Sequence, residues 1–284
     1  MKKEDVREKK RRHLGGKIAG YMFLFILFFI EVIPILQVYI NSFRSDGEVK
    51  QRPFGLPETW VFNNWKETWE IGGYTVSFFN SLMIAAVVIV AVLVLVGLGA
   101  YALSKMQFKG REFFTAYFFV AISLPGFLYI VPDYFVFNRL GLVNTRFGLM
   151  LLYTAMQIPF NMLLLRTFLS DIPRDIEEAA KIDGCNELQT FYKVTFPIAK
   201  PIFSTIAILV FVNVWNEYLW ANTFITTDVL KPLSTSFVKF VGQYSSNMAR
   251  IYTASAITIT PVIIIYLLFS QKFIEGMTSG SVKG

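Results

Sequence analysis

The stretch VSFFNSLMIAAVVIVAVLVLVGLGAYAL, Val76–Leu103, decides the fold. Its Val and Ile content would suit a β-strand in water. Its length does not, because strands rarely exceed about ten residues. It carries no Asp, Glu, Lys or Arg from end to end. About 20 helical residues cross a hydrocarbon core. Lipid offers backbone groups no partners, so a helix satisfies them where a lone strand cannot. Runs of the same kind recur at about Ile18–Ile40, Phe113–Val131, Phe147–Leu169, Ile202–Ala221 and Tyr252–Phe273. The sequence therefore predicts an all-α membrane protein with six transmembrane helices. Pro34, Pro125, Pro159 and Pro261 lie within these runs and are expected to kink or break them unless neighbours satisfy the freed carbonyls.

The composition points the same way. Hydrophobic residues make up 54% of the chain and charged residues 17%, against about 25% charged in soluble domains. Mean hydropathy is +0.50. The single cysteine, Cys185, excludes an internal disulfide. The single histidine, His13, sits in a basic stretch, which argues against a histidine-built zinc site or a His-based triad. No G-x-x-x-x-G-K phosphate loop and no G-x-S-x-G elbow is present. The chain is read as non-catalytic, with no cofactor and no metal of its own.

A net charge of +7 raises the question of nucleic acid, and its distribution answers it. Lys2, Lys3, Arg7, Lys9, Lys10, Arg11, Arg12 and Lys17 all precede the first apolar run. They read as a cytoplasmic tail facing anionic lipid, not as a nucleic-acid surface. The first run is too long for a signal-peptide core of about 7–15 residues and is read as a retained helix. The chain thus divides into a basic tail, residues 1–17, and one transmembrane domain, residues 18–284. Six spans put both termini on one side. Two thirds of the 27 Lys and Arg fall on that side, which predicts an N-in, C-in protein.

One inner loop, residues 170–201 between the fourth and fifth runs, is patterned beyond the needs of a connection. SDIPRDIEEAAKIDG predicts a helix, with Pro173 in its first turn and Asp175, Glu177 and Glu178 near its positive end. Arg174–Glu178 and Glu177–Lys181 are expected as i,i+4 pairs on the wet side. Ile172, Ile176, Ala179, Ala180 and Asp183 share another side, and Gly184 stops the helix. A second helix presents Leu188, Phe191, Tyr192 and Thr195, ends at Pro197, and the next span starts at Pro201. Pattern alone leaves two readings open: an elbow lying on the membrane surface, or a docking helix for a cytoplasmic partner.

EEAAKIDG, then nine residues, then VTFP resembles the EAA loop of ABC-importer permeases. The matching residues are Glu178, Ala179, Ala180 and Gly184, then Val194 and Pro197, with Phe196 in place of the usual leucine. FNNW (Phe62–Trp65), AYALSKMQFKGRE (Ala100–Glu112), NVWNEYLWA (Asn213–Ala221) and the terminal QKFIEGMTSGSVKG resemble the carbohydrate-uptake branch, in its shorter, maltose-permease G type of subunit. The resemblance spans nearly the whole chain. It implies a heteromer of this subunit, a homologous second permease, two ATPase subunits that bind ATP and Mg, and an external solute-binding lipoprotein or periplasmic protein. It places the complex in a bacterial or archaeal cytoplasmic membrane and assigns coupling to Glu177, Glu178, Ala179, Ala180, Asp183 and Gly184. It also sends the C-terminal tail toward the ATPase. The loop motif alone would equally fit an importer of polyamine or phosphonate. A channel or ATP-independent facilitator would use the loop only as an elbow.

Polar side chains within spans are expected to face the bundle or a wet cavity. They are Glu31, Gln37, Asn80, Ser81, Gln157, Asn161, Asn213, Asn216, Glu217, Thr258 and Thr260. The fifth span is richest. Asn213, Trp215, Asn216, Glu217 and Tyr218 alternate amides and a carboxylate with aromatic rings, a combination that suits saccharide hydroxyls and C–H faces. Trp220 is expected in the interfacial belt.

Overall fold

A computed structural model describes residues 2–242 and 246–278. Among them every regular element is helical. By length and composition, five helices suffice to cross a membrane, or six if one sharply bent pair counts as a single span. The chain divides into two compact units, Met1–Gly72 with Phe240–Ile257, and Gly73–Lys239 with Thr258–Gly284.

The first unit contains α1 (Lys2–Ser42), α2 (Asp46–Gln51) and α3 (Asn63–Gly72). The predicted basic tail is continuous with α1. Fully buried Arg44 gathers the end of α1, donating at 2.9 Å to both Asn41 and Glu48. The FNNW motif has its physical reason here. Asn64 donates to the Ser42 and Arg44 carbonyls, and the Trp65 indole donates to the Ser42 hydroxyl. Helix C-termini leave carbonyls unsatisfied, and Asn64 supplies a donor to that of Ser42, the last residue of α1.

The second unit is built on α4 (Tyr74–Lys105), α5 (Arg111–Ser123), α6 (Ile130–Arg139), α7 (Arg146–Asp171), α8 (Arg174–Ile182), α9 (Glu187–Thr190), α10 (Phe196–Asn216), α11 (Leu219–Phe224) and α12 (Leu233–Ser236). A last helix, α13 (Met248–Thr278), contributes its first part to one unit and the rest to the other. Residues 279–284, the end of the predicted C-terminal tail, lie outside the described residues. Val88, Val92, Val96 and Ala100 form one stripe of α4, buried with Leu165 and Leu169 of α7 and Ile202, Ile206 and Val210 of α10. Lipid is as apolar as these side chains, so close packing rather than water release holds the helices together. Gly97 shows how close. A Cβ there would lie 3.1 Å from the Phe203 ring.

Two predicted spans need correction. The run Phe113–Val131 is not one helix. Leu124 is extended ahead of Pro125, as a pre-proline residue prefers, and the chain on either side bends by 94°. α5 alone has 13 residues, about 20 Å of helix against a core of about 30 Å. The fifth span is not Ile202–Ala221. Helix runs without a break from Glu187 to Asn216 and ends at Glu217, which is extended. Pro197 and Pro201 therefore neither end nor start a helix. Phe191–Thr195 between α9 and α10 is instead a π turn. A proline ring clashes with the carbonyl four residues back. For Pro197 that is Lys193, which lies in the widened turn.

Candidate functional site

The two-helix loop is a defined knob. Ile172 and Pro173 are extended and end α7 before α8 begins. At its far end α8 closes in a full Schellman motif. Cys185 N–H bonds the Ala180 carbonyl and Gly184 N–H the Lys181 carbonyl, both at 3.0 Å. Gly184 has φ +84°, left-handed as the motif requires. Asn186 and Gln189 then form a capping box that opens α9.

The facing of α8 departs from the expected one. Glu177 is buried, and its Oε1 lies 3.3 Å from the Lys105 ammonium at the end of α4. Lys181 pairs with Glu187 at 2.6 Å instead of with Glu177. The buried cation outcompetes a wet i,i+4 partner because an ion pair away from water is less screened. Ile172 and Ala180 turn inward with Glu177. Ile176, Glu178, Ala179, Asp183 and Gly184 are exposed. So is Ile182, at 87%. Sequence reasoning overlooked Ile182. Its spacing from Ile176 and Ala179, in steps of three, was the available signal.

The fifth-span candidates divide by geometry. Asn213 is exposed at the α10 surface and donates to the Gln157 side chain at 3.2 Å, joining two polar residues read separately from the sequence. Asn216 and Tyr218 are also exposed. Trp215 is only 2% exposed, stacked on Phe211, with its indole N–H on the Thr258 carbonyl. Glu217 is occupied by the fold. Its carboxylate accepts from the Tyr153 hydroxyl at 2.5 Å and from the Trp220 and Ala221 amides at 2.8 and 3.0 Å. It thereby caps α11 across the break. Trp220, expected in the lipid belt, is buried with Phe224 instead. Asn80 and Ser81 are also structural. Asn80 donates to the Val229 and Lys231 carbonyls, and the Ser81 hydroxyl accepts from Leu233 N–H. Gln37 binds Asn41 and the Pro53 carbonyl, while Asn161 donates to the Gln157 carbonyl. Glu31 lies exposed on α1.

Apolar helices of membrane-crossing length, with a braced polar knob between two of them, mark a multi-pass membrane protein. Residues 94–278 match the family model described as binding-protein-dependent transport system inner membrane component. The chain is 31% identical to the diacetylchitobiose uptake system permease protein NgcG of Streptomyces coelicolor, over 89% of this chain and 85% of that one. It is 31% identical to the arabinooligosaccharides transport system permease protein AraQ of Halalkalibacterium halodurans, over 92% and 94%. Its fold is similar to a chain in the crystal structure of a bacterial ABC transporter involved in import of the acidic polysaccharide alginate. There the TM-score is 0.79 at 28% identity, with 90% of this chain and 95% of that one covered. The chain belongs to the binding-protein-dependent transport inner membrane components, and is a non-catalytic permease subunit of an ABC importer.

Proposed function

We propose that this subunit pairs with a homologous second permease to form the membrane path of an importer for an oligosaccharide, delivered by an external binding protein. Two ATPase subunits, which carry the ATP and Mg, dock on the inner side of a bacterial or archaeal cytoplasmic membrane. Both termini and α8 face that side. The observation that carries the reading is the outward face of α8. Ile176, Ala179 and Ile182 line it, Glu178 and Asp183 flank it, and the described residues leave it exposed. An ATPase cleft would receive that face, with Ala179 and Gly184 admitting close approach. ATP-driven closure of the ATPase pair would carry α8 along and rock the spans from inward- to outward-facing, a rigid-body change with no covalent step in this chain. Asn213, Asn216 and Tyr218 remain as side chains open to a sugar. Trp215 would shape that surface from behind, while Glu217 holds the helix break beside it. The relatives' substrates, diacetylchitobiose and arabinooligosaccharides, support the sugar class.

The test is uptake by the complete complex in proteoliposomes. ATP and the binding protein should both be required for oligosaccharide accumulation. Gly184→Trp and Glu178→Lys should leave the complex assembled while lowering substrate-stimulated ATP hydrolysis. Full-rate sugar movement without nucleotide, or wild-type coupling in both variants, would defeat the reading.

A further inference from the structure

A single ammonium gathers the elements around the knob. Lys105 is the last residue of α4. Its Nζ donates to the Ile172 carbonyl at 2.7 Å, where α7 ends, and sits 3.3 Å from Glu177 Oε1 on α8. The same Oε1 accepts the Thr195 hydroxyl at 3.2 Å, from the last residue of the π turn that leads into α10. The Lys105 and Glu177 side chains are 4% and 7% exposed. One turn earlier on α4, the Tyr101 hydroxyl donates to Glu187 at 3.0 Å, and Glu187 in turn accepts from Lys181 on α8. The membrane helices therefore grip the knob at two places.

The covalent links of α8 are poorly suited to transmitting force. It joins the chain through extended Ile172–Pro173 on one side and left-handed Gly184 on the other. The glycine can absorb backbone rotation, and Pro173 has no N–H to carry the α7 hydrogen-bond ladder into α8. A push on the exposed face would tilt this short helix about its ends unless something fixed its angle. A water-excluded, hydrogen-bonded ion pair does that, because pulling the two charges apart inside the protein leaves each buried without a partner.

We propose that Lys105 is a positioning residue for coupling: through Glu177, Thr195 and the Ile172 carbonyl it locks α8 to α4, α7 and α10, so that displacement of the knob moves the spans. This rests on the reading that α8 receives the ATPase stroke. Buried ion pairs can often be replaced by apolar side chains without loss of stability.

The experiment uses the full complex in proteoliposomes and measures sugar accumulated per ATP hydrolysed. The double variant Lys105→Met, Glu177→Met should assemble and still hydrolyse ATP, with a weaker response to the loaded binding protein. Its transport ratio should fall at least about fivefold, the low end of interactions that link two sites. Lys105→Arg, which keeps the charge, should restore the ratio to within about twofold of wild type. An unchanged ratio in the double variant overturns the proposal, whatever happens to its melting temperature. Failure of the double variant to assemble overturns it too, since the pair would then serve folding rather than transmission. Absence of ATP-driven sugar uptake in the wild type would instead remove the functional reading beneath it.

Discussion

Ile182 leaves 87% of its surface open at the tip of α8. A lone exposed apolar side chain is ordinary. Three at helical spacing, with a buried ion pair behind them, form a face that the described residues leave exposed. Ile182→Asp should therefore keep the purified subunit within about 0.5 kcal/mol of wild type, as surface changes do. It should weaken retention of the ATPase at least about tenfold, equivalent to about 1.4 kcal/mol. Co-purification read beside thermal denaturation separates the two. Lost stability with intact ATPase binding would return Ile182 to the fold. Asp228 makes a smaller and pH-dependent case. Hydrogen bonds from Lys231, then from Lys239, hold its carboxyl at about 2, below the ordinary 3.8. The folded group ionises more readily than the unfolded one, so its contribution is fully present above 3.8 and is lost as pH falls through about 2. The stability gap between wild type and Asp228→Asn should be present at neutral pH and shrink across that window. It should be small, because the carboxylate is solvated. A gap that widens on acidification would mean the two lysines are not its partners.

Among the elements, the α10–α11 break decides what Glu217 is for. In the sequence it reads as a polar group in a membrane helix, and such groups usually mark a pathway. In the structure it terminates one helix and caps the next, with Tyr153 on the same carboxylate. Glu217→Ala should cost about 1–2 kcal/mol, the loss of a strong cap. Protein that survives should take up sugar with an unchanged KM. A raised KM at unchanged stability would make Glu217 a substrate ligand after all. The same break shows what the sequence could convey. Long uncharged runs revealed the helices, since length and apolarity alone fix that choice in lipid. Where helices stop was less legible. Pro125 broke its helix, but Pro34, Pro159, Pro201 and Pro261 lie inside theirs, because a proline's effect depends on what neighbours supply to the freed carbonyl. The knob was legible as two helices meeting at Gly184. Its inward face was not, because the partner of Glu177 is Lys105, far away in sequence. No periodicity within the loop reports a charge brought from another span.

At the level of the molecule, the proposed coupling requires that α8 face the inner side of the membrane, and the chain carries its own reporter for this. Its single thiol, Cys185, is free and partly exposed just after the α8 turn. With no second cysteine to confuse the reading, a membrane-impermeant maleimide tests orientation on the wild-type chain. Two thirds of the Lys and Arg lie on the predicted inner side, and positive residues are retained in the cytoplasm. Cys185 should then be labelled in inside-out vesicles and spared in sealed right-side-out cells. Its position beside Asp183 and Gly184 adds a second expectation. Docking of the ATPase should slow labelling in inside-out vesicles, because the partner would cover the turn that holds the thiol. Stripping the ATPase should restore it. Labelling from the outer face would invert the topology and leave the docking face of α8 where no ATPase can reach it. Inner-face labelling indifferent to the ATPase would keep the topology but move the docking surface away from the α8 tip.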